Sequence, residues 1–319
     1  MQYQASGGPA WRIIFFGTPA FAVPSLKGLL QGPDKVAAVV TQPDRGKGRG
    51  QKVTYSSVKE VALQHGIPLF QPERVSEGAF QENVRHVGAD LLMVVAFGQI
   101  LPKSLLEIPG SGSINVHASL LPKYRGAAPI QWAVLNGEKV TGVTTMLMDE
   151  GMDTGDILLQ REVPIGEKET AGTLHDRLSM AGADLLLETI EKMKAGSIHP
   201  VRQNHSLATY APILKKEDGH IDWKREAKAI DCQVRGLDPW PGAFTYWEGK
   251  LLRVCEGGAT ERISAESPGA VVWVCADFIE VKTGEGSYLI REVQLEGKRR
   301  MRVRDFLSGH PIPIGTIFK

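Results

Sequence analysis

The sequence predicts an α/β fold: a doubly wound, mostly parallel sheet of Rossmann-like type, followed by a small β-barrel domain. Three observations carry this. Short apolar, β-branched runs alternate with helical patterns up to about residue 195, the signature of strands covered on both faces by helices. Beyond that point the alternation stops, and short strands follow one another between Gly, Pro and Glu-Gly turns. The chain has 319 residues, more than the roughly 100–200 of a single typical domain.

Each element has a local reason. Arg12–Phe16, Val36–Thr41, Leu91–Ala96, Ile114–His117 and Val143–Met148 read as strands because nearly every residue is apolar or β-branched. Phe21–Leu30, Tyr55–His65, Phe80–Val87, Pro129–Leu135 and Thr173–Lys194 carry helical spacing; in the last, Leu174, Leu178, Ala181, Leu185 and Thr189 recur at three or four residues. Residues 201–217 lack a periodic element and read as a linker. A helix is expected near Trp223–Gly236. Strands are expected at Ala243–Trp247, Leu251–Glu256, Gly269–Val274, Phe278–Lys282 and Ser287–Val293. The expected domains are therefore 11–200 and 218–319.

Composition narrows the function classes. Hydrophobic content of 42%, charged content of 23% and a net charge of +1 describe a globular chain without a global basic field. A polyanionic partner would have to be held by local patches. Three scattered cysteines, Cys232, Cys255 and Cys275, form no CxxC pair and argue against a disulfide framework or a zinc site. No apolar run approaches the ~20 residues that cross a bilayer. The first ten residues lack the basic start and apolar core of a signal peptide, so a cytoplasmic protein is expected.

Five stretches could carry chemistry. Gly17-Thr-Pro-Ala follows the first strand where a nucleotide fold places GxGxxG; the fingerprint is absent, Pro19 removes an amide donor, and a tight turn is the better reading. Ligands of such sheets nevertheless lie beyond the carboxyl ends of the strands. Thr41–Lys52, TQPDRGKGRGQK, carries four cations and three glycines: a solvated loop, or a basic arm that orders against phosphates. Asn115 and His117, at i and i+2 on one strand, project from one face. They could form a structural pair, or hold a developing oxyanion. Asp149–Asp156 supplies four carboxylates in eight residues but lacks a calcium-loop spacing; one carboxylate could orient His117. Lys298–Arg304 has five cations in seven residues, readable as a charge-protected strand edge or a polyphosphate patch.

Longer motifs connect these stretches. INVHASLLPKYRGAAPIQWAVLNG followed by GVTTMLMDEGMDTGDIL resembles the folate-dependent formyltransferases. RIIFFGTPAFAVPSL, TQPDRGKGRGQK, VVAFGQILP and DPWPGAFT extend the resemblance over nearly the whole chain from residue 11, toward members that act on aminoacylated initiator tRNA. The resemblance implies formyl transfer from 10-formyltetrahydrofolate as co-substrate, without a metal, by a monomeric enzyme. It implies that Asn115, His117 and Asp153 are catalytic. Ser119, Leu120, Leu121 and Pro122, with Phe97 and Gly98 as weaker candidates, would contact the folate. Arg45, Lys47, Arg49 and Lys52, with Arg49 foremost, would contact the acceptor end of the tRNA. Lys298, Arg299, Arg300, Arg302 and Arg304 would contact it from a C-terminal domain resembling an OB fold.

Overall fold

A computed structural model describes residues 9–47 and 52–319 and divides the chain into two compact units. The first takes the chain up to Gly126, Val140–Pro164 and His175–Tyr210; the second takes Ala127–Lys139, Ile165–Leu174 and Ala211–Lys319.

Strands of the first unit are β1 (Arg12–Gly17), β2 (Lys35–Val40), β3 (Arg45–Lys47), β4 (Lys52–Thr54), β5 (Leu69–Phe70), β6 (Leu91–Val95), β7 (Ser113–His117), β8 (Arg125–Gly126), β9 (Val140–Leu147) and β10 (Ile157–Pro164). Seven make one sheet in the order β10-β9-β7-β6-β1-β2-β5. β7, β6, β1, β2 and β5 run parallel, whereas β9 and β10 are antiparallel to their neighbours. β6 is buried at every position and β1 and β2 at all but the first, as a sheet covered on both faces requires. Helices α1 (Val23–Gln31), α2 (Ser57–Gln64), α3 (Gly78–Val87) and α4 (Lys103–Leu106) occupy the crossovers. The Ser56 hydroxyl caps α2 by accepting from the Lys59 N–H at 3.1 Å. β10, α4 and the β3–β4 pair were not among the expected elements. β10 mixes Gln, Arg and Glu into its apolar residues because, as the last strand of the sheet, it is only partly covered and several of its side chains reach solvent.

The second unit begins inside the expected first domain. Helix α5 (Pro129–Leu135) packs on α7 (Ala227–Gly236), where Leu237, Ala128 and Leu214 form a small buried cluster. A Cβ at Gly236 would meet the Leu135 side chain at 2.9 Å, so glycine permits the close approach of the two helices. The long helix α6 (Ala171–Lys194) and the short strand β11 (Tyr210–Ala211) precede α7 in the chain. Strands β12 (Ala243–Trp247), β13 (Lys250–Thr260), β14 (Val271–Val274), β15 (Ile279–Lys282), β16 (Ser287–Leu295) and β17 (Met301–Arg302) form an antiparallel sheet in the order β12-β13-β16-β15-β14, with β17 added on β16. Register shifts between Val254 and Gly257 mark bulges in the eleven-residue β13 that let it bend around its core. Trp223, Ile230, Val254, Val281, Tyr288, Ile290 and Phe306 are part of that core.

Two expectations change. Residues 201–217 are not a free linker: Gln203, Ala211 and Leu214 are buried, singly and without a period, so no pattern announced them. The basic run near 300 is no uniform strand edge, because Val303–Gly309 forms a helix, α8, anchored by buried Val303 and Phe306. All three cysteines are free, and burial pushes the Cys255 thiol up to about 11, which suits packing rather than nucleophilic roles.

Candidate active site

The centre of the site is the carboxyl end of β7, where the sheet changes from parallel to antiparallel: β7 pairs parallel with β6 on one side and antiparallel with β9 on the other. Asn115 and His117 therefore emerge on one face at the position where open α/β sheets take ligands. Asn115 is half-buried, and its carboxamide has no protein hydrogen bond among the described residues. His117 is buried. Its Nε2 lies 2.9 Å from the Tyr124 carbonyl, which can only accept, so Nε2 carries the hydrogen. Nδ1 then faces Asp153 Oδ2 at 3.6 Å.

Asp153 is held hard. Its Oδ2 accepts the Gly126 N–H at 2.8 Å, and its own carbonyl accepts from Gln203 Nε2 at 2.9 Å. Its backbone φ is +53°, a left-handed conformation that aspartate tolerates better than most residues and that clusters at functional sites. Gly155 makes the loop possible, since a Cβ there would collide with the Leu147 carbonyl. Gln203 also donates to the Gly155 carbonyl at 2.7 Å and accepts from Arg125 NH2 at 2.6 Å. The buried Arg125 further contacts His205 Nδ1 at 3.2 Å. Arg125, Gln203 and His205 thus position the carboxylate, and sequence reading missed all three. Only the Arg in PKYRG, polar in a largely apolar stretch, gave a signal.

The segment after β7 is clamped as well. The Thr144 hydroxyl donates to the Ser119 carbonyl at 2.6 Å and accepts the Leu121 N–H at 3.2 Å, while Gln160 Nε2 donates to the Leu121 carbonyl at 2.9 Å. Ser119 is fully buried and donates its hydroxyl to the Lys123 carbonyl at 2.6 Å. Leu121 is buried too, and its bond to Pro122 is cis. Half-buried Leu120 and Pro122 are what this segment offers outward. Phe97 belongs to the core, edge-on to Phe16 with ring centroids 5.3 Å apart, and Gly98, at φ +89°, is exposed.

Comparison with known proteins bears directly on this geometry. A formyl transferase family model matches residues 11–190, and a model of the formyl transferase C-terminal domain matches 213–311. Methionyl-tRNA formyltransferase of Caldanaerobacter subterraneus is 52% identical over 97% of this chain and 100% of its own length. The enzyme of the same name from Citrifermentans bemidjiense is 53% identical over 96% of each chain. The chain belongs to the methionyl-tRNA formyltransferase family. Among solved structures, a Helicobacter canadensis N-formyltransferase in complex with folinic acid and dTDP-3-aminofucose shares the fold at 21% identity, with a TM-score of 0.65 over 89% of this chain and 99% of that one. HypX from Aquifex aeolicus in complex with tetrahydrofolic acid aligns with a TM-score of 0.65 at 18% identity over 94% of this chain. The chain spans about half the length of HypX, 47%.

For a formyltransferase of this family the remaining candidates are cationic. Arg45 is exposed at the start of β3. Lys47 and Lys52 stand opposite one another in the β3–β4 pair, and Arg49 lies outside the described residues. In the second unit Arg300 is bound to Glu292 Oε2 at 2.6 Å and lies 3.6 Å from Asp238. Arg302 pairs with Glu292 Oε1 at 2.9 Å and faces Glu256 at 3.8 Å; Arg304 pairs with Asp277 at 3.0 Å. Lys298 and Arg299 are exposed and have no ion pair among the described residues. Of five cations that looked equivalent in the sequence, two have charge not matched by a carboxylate among the described residues.

Proposed function

We propose that this chain transfers the formyl group of 10-formyltetrahydrofolate to the free α-amino group of methionyl initiator tRNA, with Asn115, His117 and Asp153 at the reacting centre. The observation that carries the assignment of residues is the Asn115 amide, unpartnered among the described residues and on the same strand face as His117, with Asp153 fixed beside the imidazole. The co-substrate supplies an activated formyl carbon. The amine attacks it, and charge gathers on the formyl oxygen. Asn115 offers an N–H to that oxygen. His117 adds a second donor when the oxygen replaces the Tyr124 carbonyl on Nε2. Asp153 accepts the proton released by the amine, directly or through water, while holding the far side of the ring. The tetrahedral intermediate then collapses, the bond from the formyl carbon to nitrogen 10 of the folate breaks, and that nitrogen takes up a proton and leaves as tetrahydrofolate. Leu120 and Pro122 suit the apolar wall of a flat ring system, and Gly98 lets such a ring approach the backbone.

Both basic regions fit an RNA substrate, the β3–β4 arm at the catalytic unit and Lys298 with Arg299 on the other. A monomer working in a reducing cytoplasm goes with this reading, and the three free thiols support the compartment. The test is transfer of labelled formyl from 10-formyltetrahydrofolate to charged initiator tRNA, with charged elongator tRNA as control. Formylation of an amino sugar nucleotide, with none of the initiator tRNA, would refute it.

Two outcomes belong to the same assay. Arg49→Ala raises KM for the tRNA while the folate Kd stays within error; equal loss of folate affinity removes the arm from RNA binding. Neutralising Lys298 and Arg299 together lowers the slope of log affinity against log salt by about one to two, whereas Arg302→Ala, already matched by glutamates, changes it far less. Equal slopes for the two variants would return the run to a solvated surface.

A further inference from the structure

A second polar network in the first unit lies outside the Asn115–His117–Asp153 constellation and runs from the root of the basic arm to the turn after β6. Lys59, in the first turn of α2, is 9% exposed. Its ammonium forms an ion pair with Asp44, donates to Gln71 Oε1 at 2.8 Å and stands 4.1 Å from the centroid of the Tyr55 ring. Gln71 Nε2 donates to Asp44 Oδ1 and to the Gln42 carbonyl, both at 3.0 Å. Gln42 Nε2 in turn donates to the Phe97 carbonyl at 3.2 Å, which also accepts from the Thr18 hydroxyl at 3.0 Å. The same Gln42 amide would lie 3.7 Å from a Cβ on Gly98.

The placement in the chain gives the network its meaning. Asp44 is the residue before β3, and Tyr55 is the residue after β4. The Thr41 and Ser56 hydroxyls, 2.8 Å apart, tie the same two strands of chain together. The hydrogen bond from Lys59 is the largest cause holding the Asp44 carboxyl below its usual value. Simple stability does not call for this arrangement. Burying a lysine against a carboxylate gains little net free energy, because desolvation offsets the attraction, and such pairs are best attested as devices that select one geometry.

We propose that Lys59, Asp44, Gln71 and Gln42 form a positioning network that sets the direction in which the β3–β4 arm leaves the sheet and ties it to the Phe97–Gly98 turn, so that folate occupancy and RNA engagement favour each other. The inference rests on the formyl-transfer reading above. The chain of bonds is continuous: Gln42 reaches Phe97 by its side chain and Gln71 by its carbonyl, and Gln71 uses both ends of its amide on Lys59 and Asp44. A displacement at the turn is therefore passed toward Asp44 through bonded partners. Coupling of this kind is reciprocal: folate tightens tRNA by the factor by which tRNA tightens folate.

The test uses the full chain carrying Lys59→Met or Lys59→Arg, with steady-state formylation of charged initiator tRNA, folate binding with and without that tRNA, and thermal melting. Lys59→Met is expected to raise KM for the tRNA about tenfold with kcat within about twofold of the parent, and to remove the mutual tightening, a size typical of coupled sites. Lys59→Arg, which keeps the cation and its donors, is expected to recover most of both. An unchanged tRNA KM in a Lys59→Met protein that melts like the parent would overturn the proposal, as would an Arg variant no better than Met or mutual tightening that survives. If Lys59→Met melts well below the parent, Gln42→Ala, which leaves the ion pair intact, carries the same expectations and the same refutations. A parent protein that does not formylate the tRNA at all refutes the functional reading instead, so the two failures are distinct.

Discussion

Asn115→Ala is expected to lower kcat for formyl transfer by roughly 10²–10³, the usual loss when one oxyanion donor is removed. Its thermal midpoint should be nearly that of the parent. The reason lies in the free amide. Because Asn115 has no protein partner among the described residues, its removal leaves no buried donor or acceptor unsatisfied, and surface-like substitutions of this sort alter stability by about 0.5 kcal/mol or less. KM values should move little if the amide meets the formyl oxygen mainly after charge has developed on it. A variant with parental kcat would remove Asn115 from the reacting centre. His117→Ala is a less clean experiment, since it opens a cavity at a buried site and removes the imidazole that now contacts both the Tyr124 carbonyl and the Asp153 carboxylate.

Asp153→Asn is expected to reduce kcat by about 10²–10⁴, the range associated with a positioned acid–base group, without unfolding the loop. An asparagine oxygen can still accept the Gly126 N–H that Asp153 accepts now, the Gln203 bond reaches the backbone carbonyl and is untouched, and asparagine tolerates a φ of +53° as well as aspartate does. What is lost is the negative charge beside Nδ1 and the ability to take a proton. Asp153→Ala should be worse in stability as well as rate, because it forfeits the Gly126 bond and the left-handed preference together. Comparing the melting of the two variants separates chemistry from loop geometry. Equal activity of Asp153→Asn and the parent in single-turnover formyl transfer would refute the proton-accepting role.

The candidate site was legible where chemistry sits on one strand. Asn115 and His117 are two residues apart, and the period-two geometry of a strand alone puts them on one face. The apolar runs of β1, β2 and β6 announced a covered sheet because all their positions but the first of β1 and of β2 are buried, which requires no knowledge of their neighbours. Asp153 was singled out through resemblance, since eight residues with four carboxylates do not say which one turns inward. Its choice depends on Gly155, on a left-handed φ and on Gln203 fifty residues later. The C-terminal cations were read as one patch because sequence shows charge but not pairing. Glu256, Asp277 and Glu292 come from other elements, and only folding brings them to Arg302, Arg304 and Arg300.

Domain organisation divides along the same line. Length and the change of pattern near residue 195 determined that there are two units, and local propensity determined most of their strands and helices. Only the tertiary structure decided that Ala127–Lys139 and Ile165–Leu174 belong with the second unit, that residues 201–217 are packed, and that Lys59 is buried against Asp44. Periodicity reports which face of an element is buried. It carries no information about which distant element covers that face, and each of these outcomes is a contact between residues far apart in the chain.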